Sequence, residues 1–460
     1  MAGIGFELKK LSQRDDLLGL FEAYSHSSVA ASGPWVFTIL ALGGISLWGT
    51  SESSVDTVAL FRLIVIYNFA FSLVLSSPVI IVATRFLADR VFEADVQDAP
   101  GMLVGGMLVL FLALALFAVP FYFFHVSLAP LARIGALINF FLVTAIWISS
   151  VFLTALKDYR AVSRSFASGM AVALIGCLWA ADLFGTVSSL LLAFNAGLTV
   201  ILFYLISRVL EEYPYPVQRP FRMVGHFREY WSLAAGGLAY STAIWIDKWI
   251  LWFSPQGETL ASGLISFPDY DSASFLAYLT IVPSMALFVL NIETRFFEKY
   301  LRFYRSIARH ATFAEIRTNH QEILRELMES SRNVIMAQAA ISFSVIMLAP
   351  KLFRWFDVSF LQLGMFRLAV LGALFHVLFL FMSILLSYFD MRMAALKVNL
   401  LFLVSNTVFT LITVDLGFAY YGYGYFLAAV LTAAVTFGVL AHHTRDLLYQ
   451  TFVLNNQALR

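Results

Sequence analysis

The sequence predicts an all-α polytopic membrane protein with about twelve transmembrane helices in two six-helix bundles, and three observations carry that expectation. The first is composition. Of the 460 residues, 60% are hydrophobic and only 13% charged, with a mean hydropathy of +0.81, whereas soluble domains are roughly 45–50% apolar. The second is run length: Met102 to Phe124 and Leu131 to Leu156 exceed the ~20 residues an α-helix needs to cross a bilayer core. The short alternating segments of a β-barrel are absent. The third is punctuation. A proline-bearing stretch from Arg208 to Arg228, with Pro214, Pro216 and Pro220, follows the sixth apolar span, and a long polar interval from Glu293 to Arg332 follows the eighth.

In order, the spans fall near residues 27–48, 57–84, 101–124, 131–156, 161–183, 185–207, 229–253, 271–291, 333–350, 361–388, 397–416 and 424–442. Residues 1–207 are expected to form one six-helix bundle behind a cytoplasmic N-terminal helix. Residues 208–228 form a cytoplasmic linker, and residues 229–460 a second bundle that includes a basic amphipathic segment, 293–332. Six spans plus six suggest the alternating-access architecture of a transporter, although the halves share no sequence identity. Most of the 30 basic residues fall in the segments this topology assigns to the inside, which places both termini in the cytoplasm. Thr50 to Asp56 and Ser254 to Tyr270, assigned outside, hold acids and no Lys or Arg, and only Lys351 and Arg354 run against the trend. Lys9, Lys10 and Arg14 are followed by Asp15 and Asp16, which is not the layout of a cleavable signal. The single cysteine, Cys177, excludes an internal disulfide and makes thiolate metal binding and redox chemistry unexpected.

Ionisable groups inside a span cost several kcal/mol by most estimates, so each needs a partner, a wet cavity or an escape to the interface. The first helix carries Glu22, Ser25, His26, Ser32 and Gly33 on one face before a Gly33-Pro34 break. That face reads either as the lining of a pathway's inner mouth or as a packing seam closed by a Glu22 to His26 hydrogen bond. In the second, Arg62, Ser72 and Ser76 form a stripe ahead of Pro78. Arg62 either meets an anionic or hydroxyl-rich substrate or snorkels to the outer surface. The seventh span places Trp245, Lys248, Trp249 and Trp252 on one face, expected to meet lipid, and Asp247 on the opposite one, facing inward with Gly236, Tyr240 and Ala243. An inward carboxylate there could bind a coupling cation or a positively charged sugar, or pair with Arg62 or Arg367.

The eighth span adds Asp271, Ser274 and Tyr278 on a common face, then Pro283 and Asn291. Near the outer end of the last pair, Tyr420, Tyr421, Tyr423 and Tyr425 alternate with Gly422 and Gly424. They read as sugar-stacking rings or as an interfacial belt. Between Arg295 and Arg332 there is room for one or two amphipathic helices. Arg295, Lys299, Arg302, Arg305 and Arg309 offer a basic side to lipid headgroups or a cytoplasmic partner, and Phe296, Phe297, Tyr300, Phe303 and Tyr304 are available for burial. A membrane-embedded transferase would need a cluster of His, Asp or Glu at one membrane face. His376 stands isolated in an apolar span, and Asp390 beside Arg392 reads as an interfacial ion pair. No P-loop is present, so nucleotide hydrolysis, and with it any cofactor or metal, is not expected.

Six strings, in order along nearly the whole chain, resemble the Pel exopolysaccharide transporter family, PelG, within the MOP-type flippase superfamily. They are MAGIGFELKKL from Met1, SGPWVF from Ser32, RFLADRVFEAD from Arg85, IWIDKWILWF from Ile244, FLAYLTIVP from Phe275 with Glu293-Thr294 after it, and YGYGYFL from Tyr421. The resemblance implies a bacterial inner-membrane protein that passes an amino-sugar-rich, partly cationic exopolysaccharide to the periplasm for biofilm matrix. It also implies partners: a cytosolic UDP-sugar-dependent glycosyltransferase and membrane scaffold proteins, one a cyclic di-GMP sensor. A cationic polymer would be drawn to carboxylates such as Glu22, Asp247 and Asp271, with Arg62 and Arg367 as partners for those acids. Two alternatives stay open beside this expectation. One is a cation-coupled flippase or exporter of a lipid-linked or small substrate, and the other is a scaffold or membrane-embedded transferase.

Overall fold

The computed structural model describes residues 33–49, 54–93, 95–156, 158–355, 362–449 and 452. Glu22, His26 and Ser32 lie outside those residues. The described chain is almost wholly helical: α1 (Gly33–Gly49), α2 (Val55–Phe92), α3 (Ala99–Pro120), α4 (Pro130–Ala155), α5 (Tyr159–Leu183), α6 (Val187–Glu212) and α7 (Trp231–Trp252) come first. After a two-stranded antiparallel hairpin, β1 (Glu258–Thr259) and β2 (Ile265–Ser266), follow α8 (Pro268–Leu279), α9 (Val282–Asn291), α10 (Phe297–Ala308), α11 (Phe313–Trp355), α12 (Gln362–Tyr388), α13 (Arg392–Leu416), α14 (Tyr423–Arg445) and a final turn, α15 (Leu447–Tyr449). Among the described residues, ten segments are long and apolar enough to cross a membrane, counting α8 and α9 together. This is a multi-pass membrane protein. The first and seventh predicted spans also correspond to helices: α1 is described over Gly33–Gly49, and α7 is diluted by serines, glycines and the Asp247-Lys248 pair.

Prolines shape the helices by what they cannot donate. Pro78, inside α2, has no N–H for the carbonyl of Val74, and the Ser77 hydroxyl donates to that oxygen instead at 2.8 Å. The helix therefore runs unbroken for 38 residues. At Pro283 the outcome differs, and the eighth predicted span divides just before it into α8 and α9. The polar interval also differs from expectation. Residues 313–332 are not a separate surface helix but the first half of α11, a single helix of 43 residues. α10 folds back against that half: Lys299 pairs with buried Glu326 at 2.6 Å, and Arg302 with Glu322 at 3.2 Å. Phe303 is fully buried, and the Tyr300 hydroxyl donates to the carbonyl of Tyr388 at the end of α12. Burial pushes the Tyr304 hydroxyl pKa upward.

The chain forms two compact units, with the division falling inside α7. One unit holds the described residues up to 245 together with Trp252–Phe267; the other holds Ile246–Leu251 and the described residues from 268 onward. In the first unit, the stretch between α6 and α7 is laid tightly across the start of α3. A Cβ on Gly101 would sit 1.7 Å from the carbonyl oxygen of Gln218, and one on Gly105 1.7 Å from that of Pro220, so only glycine permits the crossing. Arg222 closes the contact on buried Asp98, while Met223 is 1% exposed. Tyr230 donates to Asp89 of α2 at 2.8 Å; burial, then that carboxylate, pushes the phenol up to about 12. In the second unit, α12 packs against α14, α8 and α11.

Candidate functional site

Asp247 and Lys248 of α7 open the densest polar cluster of the second unit. The sequence assigns these two to opposite faces, although neighbouring side chains on an α-helix point only about 100° apart. In the structure both are buried, Asp247 at 0% and Lys248 at 5% exposure. The long lysine stem bends back so that Nζ lies 3.2 Å from each carboxylate oxygen of Asp247. The lipid-facing placement of Lys248 is thereby corrected: a buried ammonium needs an anion, and the nearest is one residue away. Trp252, expected on the same outward face, is likewise buried.

Two tyrosines from α8 complete the surroundings of that ammonium. Tyr270 donates to Oδ2 of Asp247 at 2.7 Å. Lys248 Nζ stands 4.9 Å from the ring centroid of Tyr278 and 5.9 Å from that of Tyr270, within cation–π range. Beyond them, His376 of α12 shares a 2.9 Å hydrogen bond with the Tyr425 hydroxyl of α14. Tyr278 meets both rings edge-on, at 6.1 Å and 5.8 Å. Gly372 makes room: a Cβ there would lie 2.4 Å from the Tyr425 ring. His376 is thus one partner in an aromatic and ionic group drawn from four helices rather than an isolated residue. Among the described residues, the group brings together the carboxylate of Asp247 and the ammonium of Lys248.

The first unit contains a second buried network, assembled without charge. Tyr122, in a π-helical turn (Phe121–His125) after α3, donates to Oδ1 of Asn68 at 2.6 Å. Asn68 Nδ2 donates to Asn139 Oδ1 and to the Ala136 carbonyl, both at 2.9 Å. Asn139 Nδ2 donates to Asn195 Oδ1, and Asn195 Nδ2 to the carbonyl of Gly135, both at 2.8 Å. The ladder ties α2, α4 and α6 together in one donor-to-acceptor direction. Beside it the Tyr67 hydroxyl donates to the Ile265 carbonyl at 2.6 Å, and its ring stacks on Phe121 and Trp252.

The remaining sequence candidates fall in different settings. Asp271, Arg62 and Arg367 are half-buried, Tyr278 and Tyr421 are buried, and Tyr423 is 40% exposed. Asp247 is held by Lys248 and Tyr270, where the sequence offered Arg62 or Arg367. Of the tyrosine run, Tyr420 and Tyr423 face outward while Tyr421 and Tyr425 are interior, so the run is not a uniform belt. Among the basic candidates, Arg295, Arg302, Arg305 and Arg309 are exposed and Lys299 is half-buried in its ion pair. Asp390 and Arg392 do pair, at 2.8 Å. Sequence reasoning missed Lys248, Tyr270, His376 and Tyr425 as one group, and missed Asn68, Asn139 and Asn195 altogether. The asparagines carried a usable signal, since an amide in the middle of an apolar span must also find a partner.

The PelG family, described as exopolysaccharide exporters (EPS-E), matches residues 1–452. The chain belongs to the PelG family. Among solved structures, an outward-facing multidrug resistance MATE family transporter of the MOP superfamily is similar with a TM-score of 0.67 at 15% identity, covering 97% of this chain and 99% of that one. A MOP superfamily transporter from Pyrococcus furiosus, whose binding pocket is described as having reverse polarity, gives 0.63 at 14% identity, covering 92% and 96%. A MATE in the straight conformation gives 0.64 at 14%, covering 93% and 96%. At such identity these likenesses show the fold, which this PelG-family chain shares with MOP-type transporters. No curated protein matches the chain. The family is one of exporters, and the fold is one found in transporters.

Proposed function

We propose that the protein translocates a Pel-type exopolysaccharide, rich in amino sugars and partly cationic, from cytoplasm to periplasm across the bacterial inner membrane, without catalysis of its own. The observation that carries this reading is the family match over residues 1–452, an exporter family spanning nearly the whole chain. The MOP-type fold supports it, because a solved structure of that fold is an outward-facing multidrug resistance transporter, as alternating access requires.

In the finer reading, twelve spans form two six-helix bundles with both termini cytoplasmic, supported by the distribution of basic residues and by α1 and α7 as the eleventh and twelfth spans. The polymer is delivered by a cytosolic UDP-sugar-dependent glycosyltransferase held with membrane scaffold proteins that include a cyclic di-GMP sensor, as the sequence resemblance implies. Glu22, His26, Arg62, Asp271, Tyr278, Arg367, Tyr421 and Tyr423 are the proposed pathway residues. Arg295, Arg302, Arg305 and Arg309 are the proposed partner or membrane surface, with Lys299 bracing α10 behind them. Asp247 enters this proposal as half of an ion pair rather than as a bare anion.

Secretion of amino-sugar polymer by cells with and without the chain, measured together with intracellular polymer and glycosyltransferase level, tests the proposal. Polymer trapped inside, with the glycosyltransferase present and active, is the expected result. Loss of the glycosyltransferase from the membrane together with all polymer would make the chain a scaffold and overturn translocation as its primary role.

A further inference from the structure

A buried ion pair is weak evidence of stabilisation, because removing two charges from water costs several kcal/mol per ion and well-packed apolar residues often serve as well. The second unit nonetheless keeps a buried carboxylate, Asp247, oriented by a 2.7 Å hydrogen bond from Tyr270, with the rings of Tyr278 and Tyr270 4.9 and 5.9 Å from one ammonium. An anion with flanking aromatic faces is the chemistry that recognises an alkylammonium ion. The occupant is the chain's own side chain, arriving from the adjacent residue on a flexible four-carbon stem. Rotation of that stem alone can withdraw the ammonium without shifting α7.

We propose that Asp247, Tyr270 and Tyr278 form a primary-ammonium site that Lys248 fills at rest and that an ammonium group of an amino sugar can take in its place. The identity of that second occupant rests on the polymer reading above; the ammonium site itself does not. Lys248 is then a tethered surrogate ligand. It keeps the carboxylate neutralised when no cargo is present and is displaced by cargo of like charge. N-acetylated sugars, which carry no cation, do not compete.

The test uses the full-length protein in detergent with n-propylammonium as probe. Lys248→Ala is expected to lower the Tm, and n-propylammonium to restore it saturably by about 3 °C when the probe is in large excess over its Kd. Sodium chloride at equal ionic strength should restore nothing, and Asp247→Asn/Lys248→Ala should not respond. Equal responses to both salts, or an unchanged response in the double variant, would overturn the site. In the wild type, which needs no substitution to fold, glucosamine oligomers are expected to raise acylation of Lys248 several-fold while N-acetylglucosamine oligomers leave it unchanged. Lys248 labelling that ignores both oligomers overturns the displacement by cargo, even if propylammonium rescues the variant. Neither assay reads export, so failure here leaves the secretion experiment to decide translocation separately.

Discussion

The two units solve the same problem, polar groups inside an apolar core, in opposite ways. In the first, Asn68, Asn139, Asn195 and Tyr122 form a neutral ladder in which each amide both donates and accepts, with the carbonyls of Ala136 and Gly135 accepting from Asn68 and Asn195. In the second, Asp247 and Lys248 place full charges in the core, steadied by one hydrogen bond and two ring faces. A neutral ladder loses its bonds one at a time, and each loss costs little. An ionic pair fails abruptly when one member leaves, because the other is left charged in a medium that cannot solvate it. The first arrangement suits a fixed brace between helices. The second suits a place where an ion is exchanged.

The sharpest way to break this contrast is Asp247→Ala, which strands the ammonium of Lys248. It is expected to cost about 3–5 kcal/mol, read as a large Tm loss or failure to accumulate, whereas Asp247→Asn/Lys248→Met should be milder than Asp247→Ala. A double variant as damaged as the single would show that the charges are not coupled. The corresponding change in the ladder, Asn139→Leu, removes the central link to both Asn68 and Asn195 yet should cost only about 1–2 kcal/mol, as interhelical hydrogen bonds in membranes do. A loss equal to that of Asp247→Ala would erase the distinction.

Gly105→Ala probes a third kind of contact, since its Cβ would meet the Pro220 carbonyl at 1.7 Å. Limited proteolysis between Tyr213 and Tyr230 should rise several-fold as that stretch lifts from α3, with helix content unchanged. Protection equal to wild type would mean the stretch accommodates the methyl. Smallest is Arg302→Ala on the exposed side of α10. An exposed ion pair is worth about 0–1 kcal/mol, so Tm should barely move, and a loss comparable to Asn139→Leu would show that the α10–α11 contact carries more of the fold than its exposure indicates.

Much of the architecture was legible in the sequence because lipid imposes it. A backbone in hydrocarbon must satisfy its own hydrogen bonds, so apolar runs of sufficient length become helices wherever they occur. Every predicted span has a helix among the described residues, and the family strings around Ile244 and Phe275 mark α7 and α8, which supply most of the ionic cluster. Hydropathy was blind to where a helix runs on beyond the lipid. The polar residues 313–332 continue without interruption into the apolar half of α11, since nothing in that stretch breaks a helix and α10 packs against it.

The sequence by itself therefore determined the class of molecule, the order of its apolar runs and the family, because those depend on composition, run length and local strings. It also pointed to Asp247 as a charge requiring an explanation. Only the tertiary structure decided what that charge does. Helical periodicity starts Lys248 about 100° round α7 from Asp247, and it was the low polarity around the site, with Tyr270 and Tyr278 arriving from α8, that brought the lysine stem back onto its neighbour. Periodicity fixes where a side chain leaves the helix. Where a long flexible side chain ends is set by the partners that packing brings within reach, and the same holds for three asparagines far apart in sequence that meet in one chain of hydrogen bonds.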